Sequence, residues 1–312
     1  MDYLYQLQII RENSPEIINA IFVIISEFVL YAGPAIPLVI YLCVDKKLAS
    51  KMIFVFAISD CITNVVKITA CVYRPWIRDS RLSVAGNMAK TATGYSFPSG
   101  HTSTATAIYG ELALWRKATK WLVAVLIFLI LLTGFARNYL GAHTLVDVIT
   151  AMVISVMVIG LGEIVAKWVS RDNNYVIFAV IISVIIIICI LYATLKNYPQ
   201  DFDMNGNLLV DPFVARKDVY ASLGLLSGWI VCWFMDIKVI HYRRPESRRT
   251  NICVGVIGVV IFAILYFAGG SVLGGLFTGA VLSFMKRFIS IFGTLLVYPW
   301  VLMKLPINLK QE

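Results

Sequence analysis

Two uninterrupted apolar runs constrain this chain before anything else does. "WLVAVLIFLILLTGFA" (121–136) and "YVIFAVIISVIIIICILYATL" (175–195) are about the length a helix needs to cross a bilayer core of roughly 30 Å. Inside hydrocarbon every backbone N–H and C=O must find its partner within the protein, so such runs fold as helices. The 312 residues are 59% hydrophobic and 14% charged, with a mean hydropathy of +0.81. Soluble domains carry about 25% charged residues. The expectation is an all-α, polytopic helical membrane protein.

Apolar runs between polar breaks mark nine candidate spans, at 28–44, 51–73, 101–115, 120–137, 143–168, 175–195, 217–236, 251–268 and 271–304. Ahead of the first, Ser14 and Pro15 read as a helix start. That helix either lies along the interface or joins the first span across Gly33-Pro34. The last stretch is too long for one simple helix and carries Lys286 and Arg287 within it. Gly224-x3-Gly228 and Gly275-x3-Gly279 form a weak internal echo, best read as small residues that let helices approach closely in lipid.

The formal charge of +9 sits mostly in short loops, with no extended basic stripe, so nucleic acid is not the expected partner. "DKKLASK" (45–51), "RKATK" (116–120), "KWVSR" (167–171) and "KVIHYRRPESRR" (238–249) all fall on one side by alternation. The excess of Lys and Arg assigns that side to the cytoplasm. The 74–100 loop, the 138–142 turn and the 196–216 loop then face outward. The six cysteines lie in or beside apolar segments at spacings that fit neither a zinc site nor a disulfide framework, and are expected to be free. The N-terminus lacks the basic region of a signal peptide, and no cleaved leader is expected.

Three polar clusters interrupt the apolar pattern, and all map to the outward side. In "KITACVYRP", Lys67 and Arg74 are seven residues apart, two helical turns and hence on one face; Pro75 ends the helix near Arg74. Lys67 lies about two turns inside the span, where a charge is costly and usually functional. Headgroup snorkelling is the alternative. In "GYSFPSGHTSTAT", Pro98 stiffens the approach, Ser99 can cap, Gly100 admits a ligand close to the backbone, and His101 opens a helix. Its free N–H groups and dipole suit an anion. An N-cap before a small-residue packing face is the plainer reading. In "ARNYLGAHTLVD", Arg137 ends one span, Gly141 permits the turn, and His143 precedes Asp147 by one helical turn. A carboxylate there can accept a hydrogen bond from one ring nitrogen and leave the other free to act as base or nucleophile.

Two of the three histidines thus begin helices beside three cations on one membrane face, while His241 reads as cytoplasmic surface. Phosphoryl transfer without a metal needs that set: one imidazole to attack phosphorus, one to protonate the leaving oxygen, and fixed donors for the equatorial oxygens. Lys67-x6-Arg74-Pro75, Pro98-Ser99-Gly100-His101 and Arg137-x5-His143-x3-Asp147, in that order, resemble the three-part signature of the type 2 phosphatidic acid phosphatase superfamily. That superfamily includes membrane lipid phosphatases, glucose-6-phosphatase and vanadium haloperoxidases.

The resemblance implies a six-helix phosphatase core within residues 1–200 and about three extra transmembrane helices in 201–312, within the same membrane domain. It implies that His143 forms a phosphohistidine, oriented by Asp147, and that His101 is the general acid. Lys67, Arg74, Ser99, Gly100 and Arg137 would bind the phosphoryl oxygens, with no metal and no cofactor. Ala136 stands where the family often has Ser, which removes one hydroxyl contact but no charge.

The expected substrate is a lipid phosphate or diphosphate in the bilayer, with the site on the extracytoplasmic side of the plasma (inner) membrane. Phosphotransfer to another lipid, hydrolysis of a soluble sugar phosphate, and a non-enzymatic transport or structural role stand as alternatives, and the oligomeric state is open. Arg78, Arg81 and Lys90 of the outward loop are candidates for a second phosphate or for headgroup pairing. "DFDMNGNLLVDP" (201–212) starts like a calcium loop but has Pro212 at the twelfth position. An Asn-Gly turn is the better reading.

Overall fold

The computed structural model describes residues 1–86, 92, 94–171 and 173–310. The chain is 75% helical, with no strand among the described residues beyond two isolated bridges. Seven helices are long and apolar enough to cross a membrane, and an eighth candidate is the broken pair Glu16–Tyr31 and Ala35–Cys43. The chain is an integral membrane protein.

The elements are α1 (Asp2–Glu12), α2 (Glu16–Tyr31), α3 (Ala35–Cys43), α4 (Lys46–Ala70), α5 (Pro75–Arg78), α6 (Gly100–Ala113), α7 (Lys120–Tyr139), α8 (Leu145–Arg171), α9 (Tyr175–Leu195), α10 (Pro212–Met235), α11 (Arg248–Ala263) and α12 (Gly279–Phe292). A π-helical turn follows each of the last three. Pro15 immediately precedes α2, as the Ser-Pro start anticipates. At α6 the expected span shrinks to 14 residues, roughly 21 Å at 1.5 Å per residue. Thr102 to Tyr109 are all buried, so α6 is held by protein rather than by lipid. The break near the C-terminus falls at 274–278, and Lys286 and Arg287 sit inside an unbroken helix.

Contacts group the chain into two units. The first comprises residues 1–33, 59–159 and 193–216. Gly134 lets α7 approach α8, since a Cβ there would lie 2.7 Å from Val148 Cγ1 and 2.9 Å from Met152 Cε. Phe22 of α2 meets Tyr139 and Phe135 of α7, with ring centroids 4.4 and 5.6 Å apart. Hydroxyls join three helices: Thr63 Oγ1 donates to Ser103 Oγ (3.0 Å), and Ser103 and Ser155 are also 3.0 Å apart. Interhelical hydroxyl bonds of this kind hold helices together in an apolar surrounding, where hydrophobicity supplies little.

The second unit comprises residues 34–58, 160–192 and 217–312. Gly228 of α10 faces α12, where an added Cβ would stand 3.1 Å from Ile291 Cβ, and Gly224 faces the backbone of Phe284. The first half of the glycine echo is therefore a packing seam. The second half is not, because Gly275 lies in the turn before α12 and Gly279 takes a φ of +59°. None of the six cysteines is in a disulfide.

Candidate active site

The three motifs converge within the first unit. Helix α4 ends at Ala70 and Cys71 adopts a left-handed φ of +49°. Lys67 and Arg74 therefore do not share one continuous helical face; Arg74 instead stands at the N-terminus of α5. The intervening chain is fastened to the second motif where Ser96 N–H donates to Val72 O (2.7 Å). Arg74 is buried: its Nε donates to Gly94 O (2.9 Å) and its Nη1 to Ala142 O (3.1 Å).

The same Nη1 lies 2.9 Å from His143 Nε2. Guanidinium only donates, so Nε2 accepts, and the ring proton belongs on Nδ1. Nδ1 is turned toward Asp147 Oδ2 and Ser96 Oγ, each 3.5 Å away. That is longer than an ordinary hydrogen bond. The short bonds of Asp147 go elsewhere, from Ser96 Oγ (2.6 Å) and from Thr144 N–H (2.7 Å). His143 itself lies between α7 and α8, nearly inaccessible at 1% exposure. Burial, and then the nearby charges of Arg74, Arg137 and Lys67, push its imidazole well below the usual value. Both effects favour the neutral ring, with its Nε2 lone pair held by Arg74 Nη1.

Helix α6 opens with Ser99 as its N-cap: Thr102 Oγ1 donates to Ser99 Oγ (3.0 Å), and Ser99 N–H donates to Asp147 O (3.0 Å). Gly100 faces space, with nothing within 4 Å of a built Cβ. His101 points Nε2 toward Glu27 Oε1, 3.8 Å off, and that nitrogen is buried without a hydrogen-bond partner among the described residues. Arg137, 1% exposed, donates from Nη1 to Ser26 Oγ (2.6 Å), while its buried Nε has no hydrogen-bond partner among the described residues. Buried polar groups are normally satisfied; among the described residues these two nitrogens are not, and Gly100, next to His101, leaves room around its backbone.

Sequence reading missed Ser26, Glu27 and Ser96. The first two sit in an apolar helix far upstream of the motifs, and Ser96 lies inside the quoted "GYSFPSGHTSTAT" with no pattern to mark it. The turn into His143 depends on Gly141, with a φ of +73°. It is clamped by Arg11 of α1, which donates to Tyr139 O (3.2 Å) and to Ser83 O (3.0 Å). Arg81 pairs with Asp79 (2.8 Å) and Asp2 (3.1 Å), while Lys90 lies outside the described residues. In the 201–212 loop Asp203 O accepts from Gly206 N–H (3.1 Å) and its carboxylate caps Asn205 and Asn207, as an Asn-Gly turn requires. Asp201 accepts from Tyr73, next to Arg74.

Two imidazoles, His143 buried and His101 partly so, thus stand near the cations Lys67, Arg74 and Arg137. Residues 48–174 match the model of the PAP2 superfamily, and that segment contains all eight candidate site residues named above. The chain is 27% identical over 125 residues to "Lipid phosphate phosphatase delta" of Arabidopsis thaliana, a match covering 37% of this chain and 30% of that protein. It is 27% identical over 144 residues to "Undecaprenyl-diphosphatase BcrC" of Bacillus subtilis (strain 168), covering 46% of this chain and 72% of that protein. The chain thus spans less than a third of the plant relative it matches. No solved structure matches it.

Proposed function

We propose that this protein is a phosphatase that hydrolyses a lipid phosphate or diphosphate at the extracytoplasmic membrane face through a phosphohistidine on His143. One observation carries the reading: Arg74 donates to His143 Nε2, which fixes the tautomer with the lone pair on the nitrogen opposite Asp147. Both relatives named above support the lipid class of substrate, and the basic loops support the face.

An arriving phosphoryl group competes for Arg74 and draws the guanidinium from Nε2 onto its oxygens. Lys67, Arg137 and the N-terminus of α6 at Gly100 take up the remaining negative charge. Nε2 then forms the bond to phosphorus as the bond to the leaving oxygen breaks, and protonated His101 gives that oxygen its proton. The imidazolium left on His143 keeps its Nδ1 proton facing Asp147 and Ser96. In the second half His101, now neutral, takes a proton from water as water attacks phosphorus. The N–P bond breaks, inorganic phosphate leaves, and both histidines return to their starting states.

The test is phosphate release without added metal from a panel of lipid monophosphates and diphosphates, for wild type and His143→Ala. Release that disappears in the variant, together with inhibition by vanadate, is expected. Equal release by both proteins overturns the reading. A product phosphorylated on a second lipid would identify a transferase, and equal turnover of a sugar phosphate would remove the lipid assignment.

A further inference from the structure

The second unit holds a cavity of about 460 Å³ that none of the eight motif residues lines. It is formed by the first turns of α4, the last turns of α8, the start of α9 and the end of α10. Its wall is aromatic. Phe54 meets Trp229 and Phe178 with centroids 5.0 and 5.6 Å apart, and Phe178 meets Trp233 at 5.3 Å. Trp229 and Trp233 stack at 5.6 Å, and Trp229 Nε1 is already satisfied by Ser50 O (3.1 Å). A volume of this size is typical of sites that enclose a small ligand.

The lip is basic. Lys46, Lys47 and Lys51 line the cavity against a single lining carboxylate, Asp236. That carboxylate is committed: Oδ2 pairs with Lys46 Nζ (2.9 Å) and Oδ1 accepts the Tyr242 N–H (2.8 Å). Lys51 pairs with Glu163 outside the lining, whereas Lys47 is exposed. A positive headgroup would find no uncommitted anion here. A bare phosphate ion would leave the aromatic wall wet.

We propose that this cavity binds the phosphate and first chain segments of an anionic phospholipid. Lys47 supplies the charge that selects the headgroup, the two tryptophans and Phe178 receive the chain, and the Lys46–Asp236 pair holds the lip in shape. The site binds a lipid without transforming it, so it stands independently of the phosphatase reading.

The experiment is tryptophan quenching in the full-length protein by phospholipids brominated on the chains, phosphatidylglycerol against phosphatidylcholine. Trp229→Phe/Trp233→Phe defines the cavity's share of the signal. Phosphatidylglycerol should reach half-quenching at an about fivefold lower mole fraction, as expected for one lysine near a membrane surface. Lys47→Gln should abolish that preference without altering thermal unfolding, and raised salt should weaken it. Inorganic phosphate alone should change nothing. Equal quenching by the two lipids, a preference unchanged in Lys47→Gln, or competition by inorganic phosphate would each overturn the proposal. No readout uses phosphate release, so failure here and failure of the catalytic reading are separate results.

Discussion

Arg74 Nη1 sits 2.9 Å from His143 Nε2, so one of the cations expected to receive phosphate also caps the nitrogen expected to attack it. Replacing Arg74 removes both the cap and the grip. Arg74→Ala should lose about 10²–10³ in kcat/KM, the usual cost of one transition-state donor. Arg74→Lys keeps the charge but not the fork that reaches Gly94, Ala142 and His143 together. It should recover only part of the activity in steady-state assays of phosphate release.

Burial and the surrounding cations hold His143 well below the ordinary imidazole value of about 6.5. A depressed value keeps the nucleophile neutral at lower pH, so the acid limb of kcat/KM should lie below pH ~6.5. In Arg74→Ala one protonation-opposing charge is gone, and the limb of the residual activity should move to higher pH. An unmoved limb in that variant would assign the titration to another group.

Glu27 faces His101 at 3.8 Å from a helix outside the matched superfamily segment. Burial and Arg137 push the His101 ring down, and a carboxylate at this range opposes them, favouring the imidazolium that a general acid requires. Glu27→Gln should therefore move the alkaline limb of kcat to lower pH while leaving KM nearly unchanged. A uniform loss of activity with an unchanged pH profile would mean that Glu27 only packs.

Two glycines should separate binding from folding. Space around Gly100 admits a methyl group, so Gly100→Ala should unfold at the wild-type temperature yet bind vanadate more weakly. Gly141 has a φ of +73°, and an added Cβ would meet Ser83 O at 2.6 Å. Gly141→Ala should destabilise the protein by at least about 1–2 kcal/mol, read in thermal unfolding.

Ser96 gives Asp147 its shortest hydrogen bond, 2.6 Å. Ser96→Ala should lower kcat about tenfold, the scale of one charged hydrogen bond, with little change in KM. Ser96→Thr, which restores the hydroxyl, should recover most of the loss.

Much of the architecture was legible because bilayer thickness acts on local composition: α7, α9 and α10 fall close to their apolar runs. The errors lie where neighbours decide. Helix α4 stops at Ala70 rather than near Arg74, because Cys71 turns left-handed, and no residue type there announces it. Gly275 matches the spacing of Gly224 but lies in a turn, since spacing alone does not say whether the chain is helical.

The motif residues and the four-residue spacing of His143 and Asp147 were set by the sequence itself, but α8 starts at Leu145, so His143 stands ahead of the helix it was expected to open and the spacing is not one helical turn. Tertiary structure alone decided what those residues touch. Asp147 spends its short bonds on Ser96 and Thr144, and stands 3.5 Å from the ring it was expected to grip. Glu27 and Ser26 reach His101 and Arg137 across 74 and 111 positions of chain. A polar side chain buried among apolar helices must find partners wherever packing brings them, and sequence distance carries no record of that choice.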